Sequence, residues 1–197
     1  MQDEIATDLQ KIGPPVHQLL VDFYKRTGRK LKLEIEPGNY LIANAGCILT
    51  SIDDMVQTGS KGYKFIKLDC GMDMNNRPSL YGARHALISV SRLKEDENKT
   101  VEVEDYIVVG HCCETGDLFT QQKGGELETR KLRKSQIKDV IVMEGCGAYC
   151  SSMSTKNYNS YPEAAEVLVR TDSSLLLIRK RQTLEQMMQN EIEYSKL

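Results

Sequence analysis

The sequence predicts a mostly β protein that is preceded by one helix and one strand and that ends in a helix. Short apolar segments recur from residue 40 to residue 179, separated by clusters of glycine, asparagine, aspartate and lysine, and this pattern predicts the β domain. Helical spacing of apolar residues is confined to the two ends. These patterns divide the chain into residues 1–38, 39–182 and 183–197.

The first segment combines a helix pattern with a strand pattern. Apolar residues recur at helical spacing between Pro15 and Thr27, and Gly28 follows as a stop signal. Residues 31–36 then alternate between apolar and charged side chains, which predicts a strand that ends at Pro37. One helix and one strand cannot bury both faces of a parallel sheet, so we expect other segments to complete this unit. An α+β arrangement on the β domain is the alternative.

The β domain and the last helix follow from local pattern. The predicted strands of a mostly antiparallel sheet are 40–52, 63–69, 84–93, 101–109, 140–144, 165–170 and 174–179. Thr183 and Gln186 have the spacing of a capping box and mark the start of the C-terminal helix. The apolar face of this helix consists of Leu184, Met187, Met188 and Ile192.

Charge and composition restrict the partners and the compartment. A net charge of -2 favours neither nucleic acid nor acidic membranes, and no apolar run is long enough to span a bilayer. The basic clusters 130–134 and 179–181 lack interleaved aromatic residues, so we interpret them as solvated faces. The polar start at residues 1–4 and six scattered cysteines indicate a cytoplasmic protein with reduced thiols.

The stretch 111–117 carries the densest chemistry. One histidine, two thiols and two carboxylates follow a buried strand pattern directly, at a position that faces a cleft more readily than a core. A thiol beside a carboxylate can exchange protons near neutral pH. A polar turn with an inert cysteine is the alternative. Zinc modules use pairs of closely spaced cysteine or histidine ligands. The spacing differs for His111, Cys112, Cys113 and Cys146 or Cys150, so no metal is predicted.

Three other clusters also follow predicted strands. Glu36-Pro37-Gly38 offers a carboxylate and a glycine that lets backbone amides approach an anion. Residues 69–73 follow a predicted strand and lead to residues 77–82. The latter contain Arg77, whose planar guanidinium can grip a carboxylate, with Tyr81 nearby. Residues 145–149 place Tyr149 after two glycines, as a donor to an anion. Each cluster alone is more often a loop than a site, but four in one chain indicate a binding site.

Together these motifs resemble a known family. The chain resembles the diaminopimelate decarboxylase family of fold-type III pyridoxal-phosphate-dependent decarboxylases. The motifs that carry this resemblance are residues 36–38, 77–83, 113–117, 147–149, 157–160 and 179–183. The resemblance runs from about residue 8 to the end of the chain and covers only the C-terminal part of that enzyme. It implies that residues 1–38 are the last helix and strand of a TIM barrel and that 39–182 form the C-terminal β-sandwich or β-barrel domain.

The resemblance also implies roles for individual residues. The cofactor would be pyridoxal 5'-phosphate, the substrate meso-diaminopimelate and the product L-lysine, within a homodimer that has composite active sites. Cys113 would be the catalytic proton donor in the partner subunit's site, and adjacent side chains point in different directions, so only one of the two thiols should face the cofactor. The cofactor-binding residues would be Glu36, Gly38 and Tyr149. The substrate-binding residues would be Asn39, Arg77, Tyr81, Glu114 and Tyr149.

Two departures from the family pattern carry consequences. Asn39 stands where the family usually has arginine, so it cannot neutralise an anion. The family's Schiff-base lysine, glycine-rich phosphate loop and ring-stacking histidine belong to the barrel region, and no lysine here matches that motif. We therefore expect a fragment, one half of a split enzyme or an expressed piece that needs an N-terminal barrel. The alternatives are a sister decarboxylase for ornithine, arginine or carboxynorspermidine, and a non-catalytic dimerisation domain.

Overall fold

The computed structural model describes residues 7–93, 100–122, 124–192 and 194. Residues 1–4, on which the predicted location partly depends, and the last residues of the predicted C-terminal helix lie outside this described part. None of the helices among the described residues combines the length and the apolar character that crossing a bilayer requires.

Six strands form one sheet that is nearly closed on itself. The strands are β1 Ile48–Gln57, β2 Lys64–Leu68, β3 Leu87–Val90, β4 Val103–Val109, β5 Arg130–Arg133 and β6 Val140–Met143. Their order is β3-β6-β1-β2-β4-β5, and every neighbouring pair is antiparallel except β2 with β4. The two edge strands contact each other, and Ser89 Oγ lies 2.7 Å from Ser135 Oγ near this seam. The predicted mostly antiparallel β domain is confirmed.

The interior of this barrel-like sheet is filled by alternate side chains of its strands. In β1, Ile52 is fully buried while Leu49 is exposed, which is the period of two that a half-buried strand requires. The buried apolar core consists of Ile52, Ile66, Leu68, Cys70, Tyr106, Val108, Phe119, Leu132, Ile141 and Met143. The strand ends, and the loops that follow them, are thereby held in fixed positions.

Strand β5 corrects the interpretation of residues 130–134 as a solvated face. Leu132 lies in the core, and Arg130 is buried with its Nη2 atom 3.3 Å from Glu128 Oε2. Lys131 and Lys134 do face solvent and pair with Asp105 and Glu102. Alternate residues of a strand point to opposite faces, so a basic cluster can be half exposed and half buried. A buried guanidinium is tolerated here because a carboxylate lies beside it.

The N-terminal segment confirms the helix and corrects the strand. Helix α1 spans Leu9–Thr27, begins at an Asp8 cap that accepts from Gln10 N, and ends at Gly28 in the left-handed conformation. Residues 31–36 are exposed and do not form a strand. A strand requires a neighbouring strand for its backbone groups, and none pairs with this segment among the described residues.

The C-terminal segment is less helical than the sequence predicts. Strands β7 Glu166–Val169 and β8 Leu175–Arg179 confirm the predicted strands at 165–170 and 174–179. They form a two-stranded sheet separate from the six-stranded one, which the sequence did not predict. Helix α4 is confined to Leu184–Met187, although the predicted capping box between Thr183 and Gln186 is present. The predicted helix at 183–197 is therefore wrong beyond its first turn in the described part. Its apolar residues are mostly exposed, and an isolated helix of this length is marginal without a surface to pack on.

Candidate functional site

Short helix α2 Arg77–Tyr81 and the start of short helix α3 Cys150–Met153 bring four predicted site residues together. The guanidinium carbon of Arg77 lies 5.8 Å from the Tyr81 ring centre and 5.6 Å from the Tyr149 ring centre. A Cβ atom added to Gly38 would lie 3.5 Å from Tyr149 Oη, so the Gly38 backbone is adjacent to this phenol. We call Gly38, Arg77, Tyr81 and Tyr149 the arginine cluster.

The arginine cluster has the chemistry of an anion-binding site. Tyr81 and Tyr149 are 55% and 43% exposed, so both residues are open to solvent at this site. The guanidinium and the two phenols are all hydrogen-bond donors, and the guanidinium carries a full positive charge. Glu36 and Asn39 flank Gly38 in sequence, the first exposed and the second half-buried. The backbone carbonyl of Asn39 accepts from Ala43 N at 2.9 Å and starts a turn.

Cys113 and Glu114 lie in a second group of exposed residues. The Cys113 backbone N–H donates to Asn159 Oδ1 at 2.6 Å. The Glu114 carboxylate accepts from Gly116 N at 3.0 Å and from Tyr158 Oη at 3.5 Å. These bonds, led by the Gly116 N–H, lower the pKa of the Glu114 carboxyl. Within the described residues neither side chain hydrogen-bonds to a member of the arginine cluster.

The adjacent thiols have opposite environments. Cys113 is exposed, whereas Cys112 is buried. Burial, reinforced by the nearby Asp117 and Asp73 carboxylates, raises the pKa of the Cys112 thiol to about 12. Of these two thiols, only that of Cys113 is therefore available to a ligand outside the domain.

The loop that carries Cys113 is anchored by one buried carboxylate. Asp117 Oδ1 accepts from Met72 N at 2.8 Å, and Asp117 Oδ2 accepts from Cys112 N at 2.8 Å. Burial raises the pKa of this carboxyl, and the two backbone N–H groups act against that rise. Ser79 Oγ also donates to the Gly116 carbonyl oxygen and thereby links α2 to the same loop. The loop that Asp117 anchors thus connects both groups of site residues.

Glycines make room for the Asp117 carboxylate. Cβ atoms added at Gly71 and Gly110 would lie 2.3 Å and 2.1 Å from Asp117 Oδ2, far inside van der Waals contact. We expect Gly110→Ala to lower the free energy of unfolding by about 2 kcal/mol or more, because the methyl group displaces the carboxylate from its two donors. Urea denaturation followed by circular dichroism measures this change.

Gly13→Ala is the matched control, because nothing lies within 4 Å of its added Cβ in α1. It should leave the free energy of unfolding unchanged or raise it by up to about 1 kcal/mol. Equal effects of the two alanine substitutions would disprove the role assigned to Gly110.

Several residues of the site were not assigned roles from sequence. Tyr158 and Asn159 belong to a motif that carries the family resemblance, but only the fold shows that they hold Cys113 and Glu114. The side chain of Asn157 donates to Gln182 Oε1 at 2.5 Å, so the fold joins two motifs that lie far apart in sequence. Asp73 belongs to the stretch 69–73 that precedes Arg77, but no role was assigned to it, and Tyr161 carried no sequence signal.

The comparisons with known proteins decide the family. The model of the C-terminal sheet domain of pyridoxal-dependent decarboxylases matches residues 21–147. The chain belongs to this decarboxylase family.

Relatives within the decarboxylase family are similar over most of the chain. The Escherichia coli (strain K12) diaminopimelate decarboxylase is 39% identical over 168 residues, which are 85% of this chain and 39% of that protein. A crystal structure of a diaminopimelate decarboxylase superimposes with a TM-score of 0.84 at 34% identity and covers 98% of this chain and 45% of that one.

A third relative has a ligand in its structure. The Helicobacter pylori diaminopimelate decarboxylase, crystallised with L-lysine, gives a TM-score of 0.75 at 28% identity and covers 96% of this chain and 41% of that one. This chain therefore spans about two fifths of the length of its relatives.

Proposed function

We propose that this chain is the C-terminal part of a pyridoxal-phosphate-dependent decarboxylase that converts meso-diaminopimelate to L-lysine. The observation that carries the proposal is the arginine cluster, in which four residues with proposed cofactor or substrate roles lie together. The names of the relatives, together with the L-lysine in the Helicobacter pylori structure, support this substrate and product.

The residues present fit the proposed cofactor. A phosphate or carboxylate requires cationic and neutral donors that are open to the ligand, and Arg77, Tyr81 and Tyr149 provide three such side chains. Gly38 and Tyr149 would hold the phosphate group, and Glu36 would pair with the ring nitrogen. When bound, pyridoxal phosphate would act as an electron sink for the carbanion left by loss of carbon dioxide.

The remaining residues would act on the substrate. Arg77 and Tyr81 would orient its distal carboxylate, with Asn39 at the same corner, and Glu114 would be a further substrate ligand. Cys113 would return a proton to carbon. Cys113 and Glu114 are exposed and make no hydrogen bond to the arginine cluster among the described residues, which is the arrangement expected if they serve the site of a partner subunit. We therefore propose a homodimer.

All six cysteines are free thiols, which supports a reducing, cytoplasmic location.

A fused enzyme tests the proposed function. The part of the Escherichia coli enzyme that precedes its match to this chain is joined to this chain. Carbon dioxide release is assayed with meso-diaminopimelate, ornithine, arginine and carboxynorspermidine, and lysine release is assayed with meso-diaminopimelate. We expect turnover of meso-diaminopimelate above all others. Preferred turnover of another substrate would contradict the proposal, as would no turnover by a folded, cofactor-loaded fusion.

This chain alone is the comparison for the fused enzyme. No lysine here matches the family's cofactor-linking motif, so incubation with pyridoxal phosphate and borohydride should leave no stoichiometric adduct. Mass spectrometry of tryptic peptides reads this out. A full adduct on one specific lysine would show that the chain has its own attachment site.

A further inference from the structure

Three potential metal ligands converge beneath the loop that carries Cys113. His111 Nε2 lies 2.9 Å from Asp73 Oδ1, and Cys112 Sγ lies 3.7 Å from the same oxygen. The three ligand atoms all lie within 4.8 Å of one another. Asp73 is distant from the other two in sequence, and only the fold brings it to them.

The spacing and the chemistry of this cluster suit a zinc ion. Zinc binds imidazole nitrogen and carboxylate oxygen at about 2.0–2.2 Å and thiolate sulfur at about 2.3 Å, so tetrahedral ligand atoms lie roughly 3.4–3.8 Å apart. The sulfur–oxygen distance already matches, and the nitrogen–oxygen distance must widen by about 0.5 Å once zinc replaces the shared proton. One carboxylate and one thiolate also neutralise the charge of Zn²⁺, which a buried site requires.

The surroundings hold the ligands and leave one side open. The His111 ring stacks on the Tyr161 ring with centres 3.5 Å apart, and Tyr161 Oη donates to the His111 carbonyl oxygen at 3.3 Å. The side chains of Asp73 and His111 are only 5% and 11% exposed. A cleft of about 270 Å³ reaches both and gives an ion and a water molecule access. Asp69 and Asp117 add negative charge nearby, and Lys67 and Arg181 in the cleft wall oppose it.

We propose that Asp73, His111 and Cys112 bind one Zn²⁺ ion, with a water molecule from the cleft as the fourth ligand. Binding releases two protons to solvent. One is the proton of the hydrogen bond between His111 Nε2 and Asp73 Oδ1, and the other is the proton of the Cys112 thiol. The bound ion holds the segment directly before Cys113 in place. This proposal does not rest on the proposed decarboxylase function.

A second cluster of similar composition is a weaker candidate. His85, Cys146 and Cys150 also place their ligand atoms within 4.8 Å of one another. However, His85 Nδ1 lies 2.9 Å from the Glu144 carbonyl oxygen and 3.6 Å from Cys146 Sγ. A carbonyl oxygen cannot donate, so this nitrogen carries the proton of that hydrogen bond and cannot bind a metal while the bond exists.

Zinc titration of the full chain tests the assignment. Purified chain, stripped with chelator and kept reduced, is titrated with Zn²⁺ against a fluorescent zinc chelator, and with Co²⁺ to detect absorption from a thiolate–cobalt bond. We expect one Zn²⁺ ion per chain. His111→Asn, Asp73→Asn and Cys112→Ala should each weaken binding by about 10-fold or more, and Cys112→Ala should abolish the thiolate–cobalt band.

Two cysteine variants serve as controls. Cys113→Ala removes the adjacent exposed thiol, and Cys150→Ala disrupts the second cluster, so both should bind Zn²⁺ like the parent chain. His111→Asn keeps the test decisive if the buried Cys112→Ala variant fails to fold, because the His111 side chain lines the cleft and asparagine is smaller and still polar. The proposal is overturned if the parent chain binds no Zn²⁺ at micromolar concentration, if His111→Asn binds normally, or if affinity is lost in the two control variants instead.

Discussion

Cys113→Ala in the fused enzyme should lower kcat by about 10²- to 10⁴-fold, because a positioned general acid contributes a rate factor of that size. Cys112→Ala should leave kcat within a few fold and instead lower the free energy of unfolding by about 1 kcal/mol, through lost packing. The exposed Cys113 can reach a ligand that lies outside its own domain. The buried Cys112 faces Asp73 and has a raised pKa.

The measurement is steady-state lysine production, together with urea unfolding of each variant. Chelator in the assay buffer removes any effect of metal bound at Cys112. Cys113→Ser is a further comparison, because it keeps the size of the side chain while changing its acidity. Equal losses of turnover from Cys112→Ala and Cys113→Ala, with both proteins folded, would refute the assignment of Cys113.

Mixing two inactive variants of the fused enzyme should restore activity. One variant lacks the cofactor-linking lysine of the barrel, and the other lacks Cys113. If Cys113 serves the partner's site, one site of a mixed dimer inherits both defects and the other inherits neither. Random exchange of equal amounts makes half of the dimers mixed, so about one quarter of the sites should be intact.

The restored activity is measured after subunit exchange, with a tag on one variant to count the mixed dimers. Each variant exchanged with itself is the control and should stay inactive. Exchange without recovered activity would place Cys113 in the site of its own chain, or outside any site.

The sequence predicted the sheet well because most of its strands show a period of two. Ile52 and Leu49 follow that period and lie on opposite faces. Strand β5 was not predicted, because its charged residues suggested that solvent lies on both of its faces. The sequence does not reveal that the Glu128 carboxylate lies beside the buried Arg130 guanidinium. At residues 31–36 a strand was predicted but is absent. Alternation of apolar and charged residues indicates a face that can be buried, but it does not show whether a neighbouring strand is present to bury it.

The candidate site was predictable as a set of motifs but not as a geometry. Residues near Arg77 and Tyr149 were singled out because each motif has its own chemistry, and the fold brings them into contact. The contacts of Asp73 and the anchoring role of Asp117 could not be found in this way. Their partners are backbone N–H groups and side chains from distant loops, so the interaction exists only after the chain has folded.

The strand order also has a consequence for the time at which the domain can fold. Central strand β1 pairs with β6, so that Ile48 lies opposite Met143. Strands β2, β4 and β5 lie on the other side of β1, and β3 lies beyond β6. A growing chain cannot close this sheet until β6 has left the ribosome. Sheets with such distant pairings fold slowly, since the entropy lost in closing a long loop precedes any stabilising contact. During that interval the edge of β1 that will pair with β6 is unpaired, and an unpaired strand edge favours aggregation.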